Sequence, residues 1–388
     1  MDAGENMPAT WTRRSFLATS ASTLAATQLR AASPARAGFV YVGSTTKGEG
    51  AGIHGGAWNP ATGTLSNFRL AAPASSPGFL AAGSIAGKRY LFAGHQSAPK
   101  VGALSAFQVD RLGDLHLINT ITTPDFDMVH TALDHTRRCL ISASYGSGKL
   151  LSVKIASDGR LSAPVSQIQL SGHGPHPARQ TSSHAHGVAI SPDNRFVFLN
   201  DLGTDRINLY KLNPATAELT PNDPAYFTAA PGSGPRHLTF HPNGRWAYSV
   251  NELDSTLTQL GWNAASGTLT LLSTAPTLPP GADRSANRAG EVVIDPSGRI
   301  LYSCNRGNPE ELLVYALDPQ GHLSLAQRLP LGGKEARAFN ISPDGAYFLV
   351  AEQFSDRLAV FTRDRKTGSL QLTSNEYPVT NASCVVFI

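Results

Sequence analysis

A turn ending in leucine recurs seven times along the chain at a spacing near fifty residues, and this regularity limits the possible folds more than any other feature. It reads NPATGTL at 59–65, DRLGDL at 110–115, SDGRL at 157–161, NPATAEL at 213–219, ASGTL at 265–269, DPQGHL at 318–323 and DRKTGSL at 364–370. The closing leucines, Leu65, Leu115, Leu161, Leu219, Leu269, Leu323 and Leu370, stand 50, 46, 58, 50, 54 and 47 residues apart. A second turn alternates with the first: AGKRYLF (86–92), HTRRCLI (135–141), PDNRFVF (192–198), PNGRWAY (242–248), PSGRILY (296–302) and PDGAYFL (343–349). In its fullest form Pro sets φ, Asp or Asn bonds the local backbone, Gly takes positive φ, and an apolar strand follows. Each repeat therefore reads as four short antiparallel strands, and no long window after residue 37 has helical periodicity.

Four-stranded repeats at this period predict an all-β, seven-bladed β-propeller spanning residues 38–388 as one domain. The composition agrees: 36 Gly, 26 Pro, 41% hydrophobic and only 15% charged residues make the chain rich in turns and too apolar for disorder. The second turn occurs six times rather than seven, and the missing copy falls where the chain begins and ends. FVYVGS (39–44) has the form of a blade's second strand, and SCVVFI (383–388) that of a first strand. The last residues are thus expected to complete the blade that the first ones start, a one-plus-three closure that leaves no open seam.

Residues 1–37 read as a targeting segment. Arg13 and Arg14 precede a weakly apolar stretch, and Ala35-Arg36-Ala37 supplies a small-residue cleavage site before Gly38. The stretch is too short and too polar to span a membrane. Paired arginines followed by Ser-Phe-Leu resemble the twin-arginine export signal, which implies the twin-arginine export machinery as a partner and a periplasmic or extracellular destination. The formal charge of +4 is mild, and several arginines lie in the leader, so no nucleic-acid surface is expected. Cys139, Cys304 and Cys384 are scattered, odd in number and set in apolar runs, the pattern of buried free thiols.

Hairpin geometry locates the chemistry. If the second turn joins the first two strands of each blade, the start of the first strand and the end of the second meet at the opposite face. Starts supply His130, His184 with His186, Arg236 with His237, Glu291 and Arg337; ends supply Asp201, Glu252, Arg306 and Gln353 among others. One face of the ring then carries a belt of histidine, arginine and carboxylate. Within it, His184-x-His186 has metal-ligand spacing but no third ligand in the local sequence, so no metal is expected. Glu252 has two readings, a reacting carboxylate or a salt bridge to Arg236 across the hairpin.

The segments YVGSTTKGEGAGI, RQTSSHAHGVAISPDNRFVFLNDLGTDRINLY, PGSGPRHLTFHPNGRWAYSVNEL and LYSCNRGN resemble the seven-bladed propeller lactonase family, which includes propeller-type 6-phosphogluconolactonases and the fungal carboxy-muconate cycloisomerase. The resemblance covers about residues 38–388. It implies hydrolysis of the ring ester of a sugar-acid or related lactone, without metal or other cofactor, at a site built from His186, Arg236, Glu252 and Arg306. Glu252 is then the candidate base, His186 a candidate acid or base, and the two arginines hold the substrate's acidic group and the developing oxyanion. His184, His237, Asp201, Gln353, Arg337 and His130 are expected to bind substrate. The chain departs from the family pattern at Ala93–Gln96, AGHQ in place of a VNE-like end, and at SSHAH in place of PHAH. A muconate-type cycloisomerase and a non-catalytic binding propeller remain open as alternatives.

Overall fold

The computed structural model describes residues 38–48, 50–124 and 127–388, and the expected targeting segment lies outside them. The described residues form twenty-eight strands in seven four-stranded antiparallel sheets, with two 3-10 turns as the only helix. Numbered along the chain, blade 1 combines Ala382–Phe387 with Gly38–Ser44, Gly52–Asn59 and Thr64–Pro73. Blades 2 to 7 run over 75–123, 128–169, 185–228, 235–276, 287–330 and 336–378, each in simple strand order. Blade 1 is thus closed by one C-terminal and three N-terminal strands, hydrogen-bonded from Val40↔Phe387 to Ser44↔Ala382.

The repeated leucine turn is explained by contacts between blades. Tyr41, Tyr248 and Tyr302, on second strands, donate hydrogen bonds of 2.7, 2.6 and 2.8 Å to the carbonyls of Gly113, Gly321 and Gly368 in the next blade's leucine turn. The turn glycine also receives the neighbour's ring. A Cβ at Gly267 (φ 70°) would stand 2.3 Å from Phe196. Blade 4 has Ala217 at the equivalent place, also with positive φ (67°), and the preceding blade presents Cys139 where others present a large side chain. The smaller partner makes room for the extra methyl. The turn leucines themselves are buried or nearly so against the adjoining sheet, each contributing about 1.5–3 kcal/mol. The three cysteines are free and buried in these packed layers. Among the described residues no helix is long and apolar enough to cross a membrane.

Candidate active site

Innermost strands carry the charged face, and their register shows how. In blade 5 Pro235 pairs with Asn251 and His237 with Val250, leaving Arg236 as an extra residue in a β-bulge. Blade 7 repeats this at Arg337, blade 3 at Val129 and blade 1 at Ser383. In blades 4 and 6 two residues intervene, His186-Gly187 and Gly290-Glu291. A bulge bends the strand and re-aims a side chain. Here Val129, Arg236, Arg337 and Ser383 all line one cavity at the mouth of the ring, together with Gln96 and Asp127.

Glu252 lies at the centre of a guanidinium cluster. Its Oε2 is 3.1 Å from Arg236 Nε and accepts from Arg306 Nη2 at 2.9 Å, while Oε1 accepts from Arg179 Nη2 at 2.7 Å. Arg306 also donates to Glu335 at 2.8 Å, and Glu335 accepts from Arg288 at 2.9 Å. Arg236, Arg306 and Glu252 are 2%, 1% and 3% exposed. Burial alone favours the neutral acid, but Arg306, Arg236, Arg179 and Arg337 outweigh it and hold the Glu252 carboxyl well below the usual range. Both readings of Glu252 meet in this geometry, and it favours the bridge: a carboxylate with both oxygens so engaged is a poor base. Burial, then Arg306 and Arg337, lowers Arg236 to about 9, still cationic at neutral pH. Arg337 lines the cavity with no ion-pair partner among the described residues.

A run of rings lies beside the cluster. His184 stacks on Tyr145 at 4.3 Å, Tyr145 meets His186 edge-on at 5.6 Å, and His186 lies 5.0 Å from His237. His237 lies 4.7 Å from His130, which packs on Phe79 at 4.1 Å. Burial first, and neighbouring positive groups next, hold His186 and His237 neutral, and burial does the same for His130. His237 Nδ1 is 2.6 Å from Glu291, whose carboxyl is raised by burial.

The expected substrate-binding residues divide. Arg337 lines the mouth cavity, and Gln353 reaches it through Thr45, to which it donates at 2.9 Å. His184 stands in the loop before blade 4. His130 and His237 instead line a separate cavity of about 240 Å³ inside the channel, bounded further along by Val188, Leu238 and Phe339. Asp201 must be corrected: it is buried and spent on its own turn, accepting from His184 N and Ser183 Oγ at 2.7 Å, Thr204 Oγ1 at 2.8 Å and Gly203 N at 3.1 Å. It fixes the loop carrying His184 rather than facing a ligand. Sequence reasoning missed Arg179, Glu335 and Asp127. Arg179 belongs to the long 171–183 insertion, the one signal that pointed toward it. Among the described residues no three His, Cys, Asp or Glu side chains are grouped to hold a metal.

The family described as "Lactonase, 7-bladed beta-propeller" matches residues 39–387. A 6-phosphogluconolactonase of Bacillus subtilis is 29% identical over 350 residues, 90% of this chain and 97% of its own. Another, from Formosa agariphila, is 31% identical over 89% of this chain and 98% of its own. The solved structure of the Pseudomonas aeruginosa periplasmic gluconolactonase PpgL superposes with a TM-score of 0.83 at 31% identity, covering 90% of this chain and 99% of that one. With its blades, its closure and its arginine-rich mouth, the chain belongs to the seven-bladed β-propeller lactonase family.

Proposed function

We propose that this protein is a hydrolase that opens the ring ester of a sugar-acid lactone at the cavity lined by Arg236 and Arg337. One observation carries the reading: four guanidiniums, Arg179, Arg236, Arg306 and Arg337, converge on Glu252, and among the described residues Glu335 is the one further close carboxylate partner of Arg306. The surplus positive charge faces a cavity at the channel mouth, where a tetrahedral oxyanion would be stabilised by fixed donors in a low-dielectric site. Arg236 and Arg306 hold the developing charge, Arg337 receives the substrate oxygen or acidic group, and Glu252 keeps the cluster assembled as its counter-ion. His186, neutral, supplies a hydrogen bond to the ring oxygen. The guanidiniums provide the positive charge that a metal would otherwise bring, so we expect turnover to survive chelation.

The substrate class follows from location. Relatives are named for a phosphorylated sugar lactone, a cytoplasmic metabolite, whereas the Arg13-Arg14 leader implies export. An unphosphorylated aldonolactone fits that destination, and the named activity of PpgL supports it. Gln96 on the cavity wall, in the AGHQ segment that stands in place of the family's VNE-like strand end, is a further candidate for setting preference. A pH-indicator screen of the mature protein against plain and phosphorylated aldonolactones and muconate derivatives, with and without chelator, tests the reading. Acid release from a plain aldonolactone is expected. Turnover restricted to phosphorylated lactones overturns the substrate class; conversion of muconates alone, or of nothing, overturns the hydrolase.

A further inference from the structure

We propose that Asp127 is the general base of this reaction, taking a proton from the water that attacks the lactone carbonyl. The inference rests on the lactonase reading above and names the group that reading leaves open. A base must be a carboxylate or imidazole with a free lone pair facing the reacting atoms. The carboxylates near the mouth fail that test one by one. Glu252 and Glu335 have both oxygens held by guanidiniums. Glu291 has Oε1 held by His237 and by the backbone N–H of Val292 at 3.0 Å, and it lines the inner cavity with His130 and His237 rather than the mouth. Asp201 is spent on its turn.

Asp127 is the single carboxylate among the residues that line the mouth cavity, where Arg236 and Arg337 also lie. Its side chain is exposed and makes no hydrogen bond among the described residues. Its backbone is held at φ 63°, a left-handed conformation that costs energy for a non-glycine residue and tends to be retained where function demands it. That turn carries the chain directly into the bulged strand of blade 3. The groups around its carboxyl are Arg337 of blade 7, Lys47 of the loop after blade 1's second strand, and His184 of the loop before blade 4. Partial desolvation at the cavity wall raises its carboxyl above the usual value even though the residue stays open to solvent, and Arg337 and Lys47, with His184, act against the rise. Its carboxyl is thus shifted in the opposite direction from that of Glu252.

The step balances with no further reactant. Asp127 takes one proton as the water oxygen bonds to the carbonyl carbon, and the carbonyl oxygen becomes the anion held by guanidinium. When the ring C–O bond breaks, the same carboxylic acid returns the proton to the leaving alkoxide, giving the hydroxy acid.

The test is steady-state kinetics of the full mature protein on a lactone that the wild type opens. Asn adopts the left-handed backbone readily, so Asp127→Asn should fold with an unchanged Tm. We expect its kcat to fall at least ~100-fold with KM within about threefold, and the acid limb of the kcat–pH profile to disappear. Asp127→Glu should recover part of the rate and shift that limb. An Asn variant whose kcat stays within about threefold of wild type, or whose residual activity keeps the wild-type acid limb, overturns the assignment. A wild type that opens no lactone instead overturns the parent reading, so the two failures are distinguishable.

Discussion

Glu252 Oε2 and Arg306 Nη2 stand 2.9 Å apart, sealed from solvent, on the second strands' ends of two adjacent blades. A buried ion pair of this kind contributes little net stability while intact, because desolvation offsets its attraction. Removing one partner is different, since the other charge stays buried and unpaired. Glu252→Gln leaves Arg179, Arg236 and Arg306 facing one another. We expect a loss of about 3–5 kcal/mol in denaturant unfolding. Lactone turnover should fall with it, but the residual activity should keep the acid limb of the pH profile. Loss of that limb would return Glu252 to the role of base.

Arg236 makes contacts that only a planar fork can make. Its Nη1 donates to the Gly290 carbonyl at 2.8 Å while Nε faces Glu252 at 3.1 Å. Lysine keeps the charge but presents a single point donor. Arg236→Lys should therefore lower kcat nearly as far as Arg236→Ala, by a factor corresponding to about 2.7–4 kcal/mol of transition-state stabilisation. Near-wild-type kcat in the lysine variant would mean that charge alone is used, and unchanged turnover in the alanine variant would remove Arg236 from the site.

How much of this was legible in the sequence depends on which residues carry it. The seven turn leucines announced the blades because packing against a neighbouring sheet imposes the same requirement every fifty residues. Arg236 and Glu252 were placed together by hairpin logic alone, and they meet. The bulges at Arg236, Arg337 and His186-Gly187 were not legible, because an inserted residue leaves the apolar alternation of the flanking strand intact. Asp127 and Glu335 escaped for a related reason. Both occupy a left-handed position one residue before an inner strand, which ordinarily signals itself through glycine or asparagine. Arg179 reaches Glu252 from an insertion with no repeat counterpart, so periodicity could not place it. Asp201 misled the reading because a carboxylate at a strand's end serves a turn as readily as a ligand.

The buried histidines make stability depend on pH. His130, His186 and His237 are held neutral chiefly by burial, so their folded pKa values lie below the unfolded 6.5. Below that value the unfolded chain binds protons that the folded one refuses, and stability falls as pH falls. Each such histidine is worth up to about 1.4 kcal/mol per pH unit. Glu291, Asp254, Glu310 and Glu352, all raised by burial, act in the opposite sense above their own unfolded values and offset part of this loss. Urea unfolding should therefore show a net loss on the order of 1 kcal/mol between pH 6.5 and 5.5. A flat profile over that range would mean that these rings are charged or hydrated in the folded state.

Gly187 tests whether the position of Arg236 is set by close approach of two blades. A Cβ built on it would stand 2.3 Å from the Arg236 carbonyl oxygen and 2.8 Å from His237 Cδ2, too close for either atom to absorb. Gly187→Ala must push the inner strands of blades 4 and 5 apart at the point where both are bulged. We expect a stability cost of about 1–3 kcal/mol, typical of overpacking. Displacing Arg236 by even about 1 Å should add a fall in kcat of up to ~100-fold. Gly244→Ala supplies the contrast. It lies in the turn at the opposite face, at φ 67° with nothing within 4 Å of its Cβ. That variant should lose about 1 kcal/mol to backbone strain and keep its kcat. If instead Gly187→Ala loses stability and retains full turnover, Arg236 is positioned by Glu252 and Gly290 alone, and the contact between the two strands is structural.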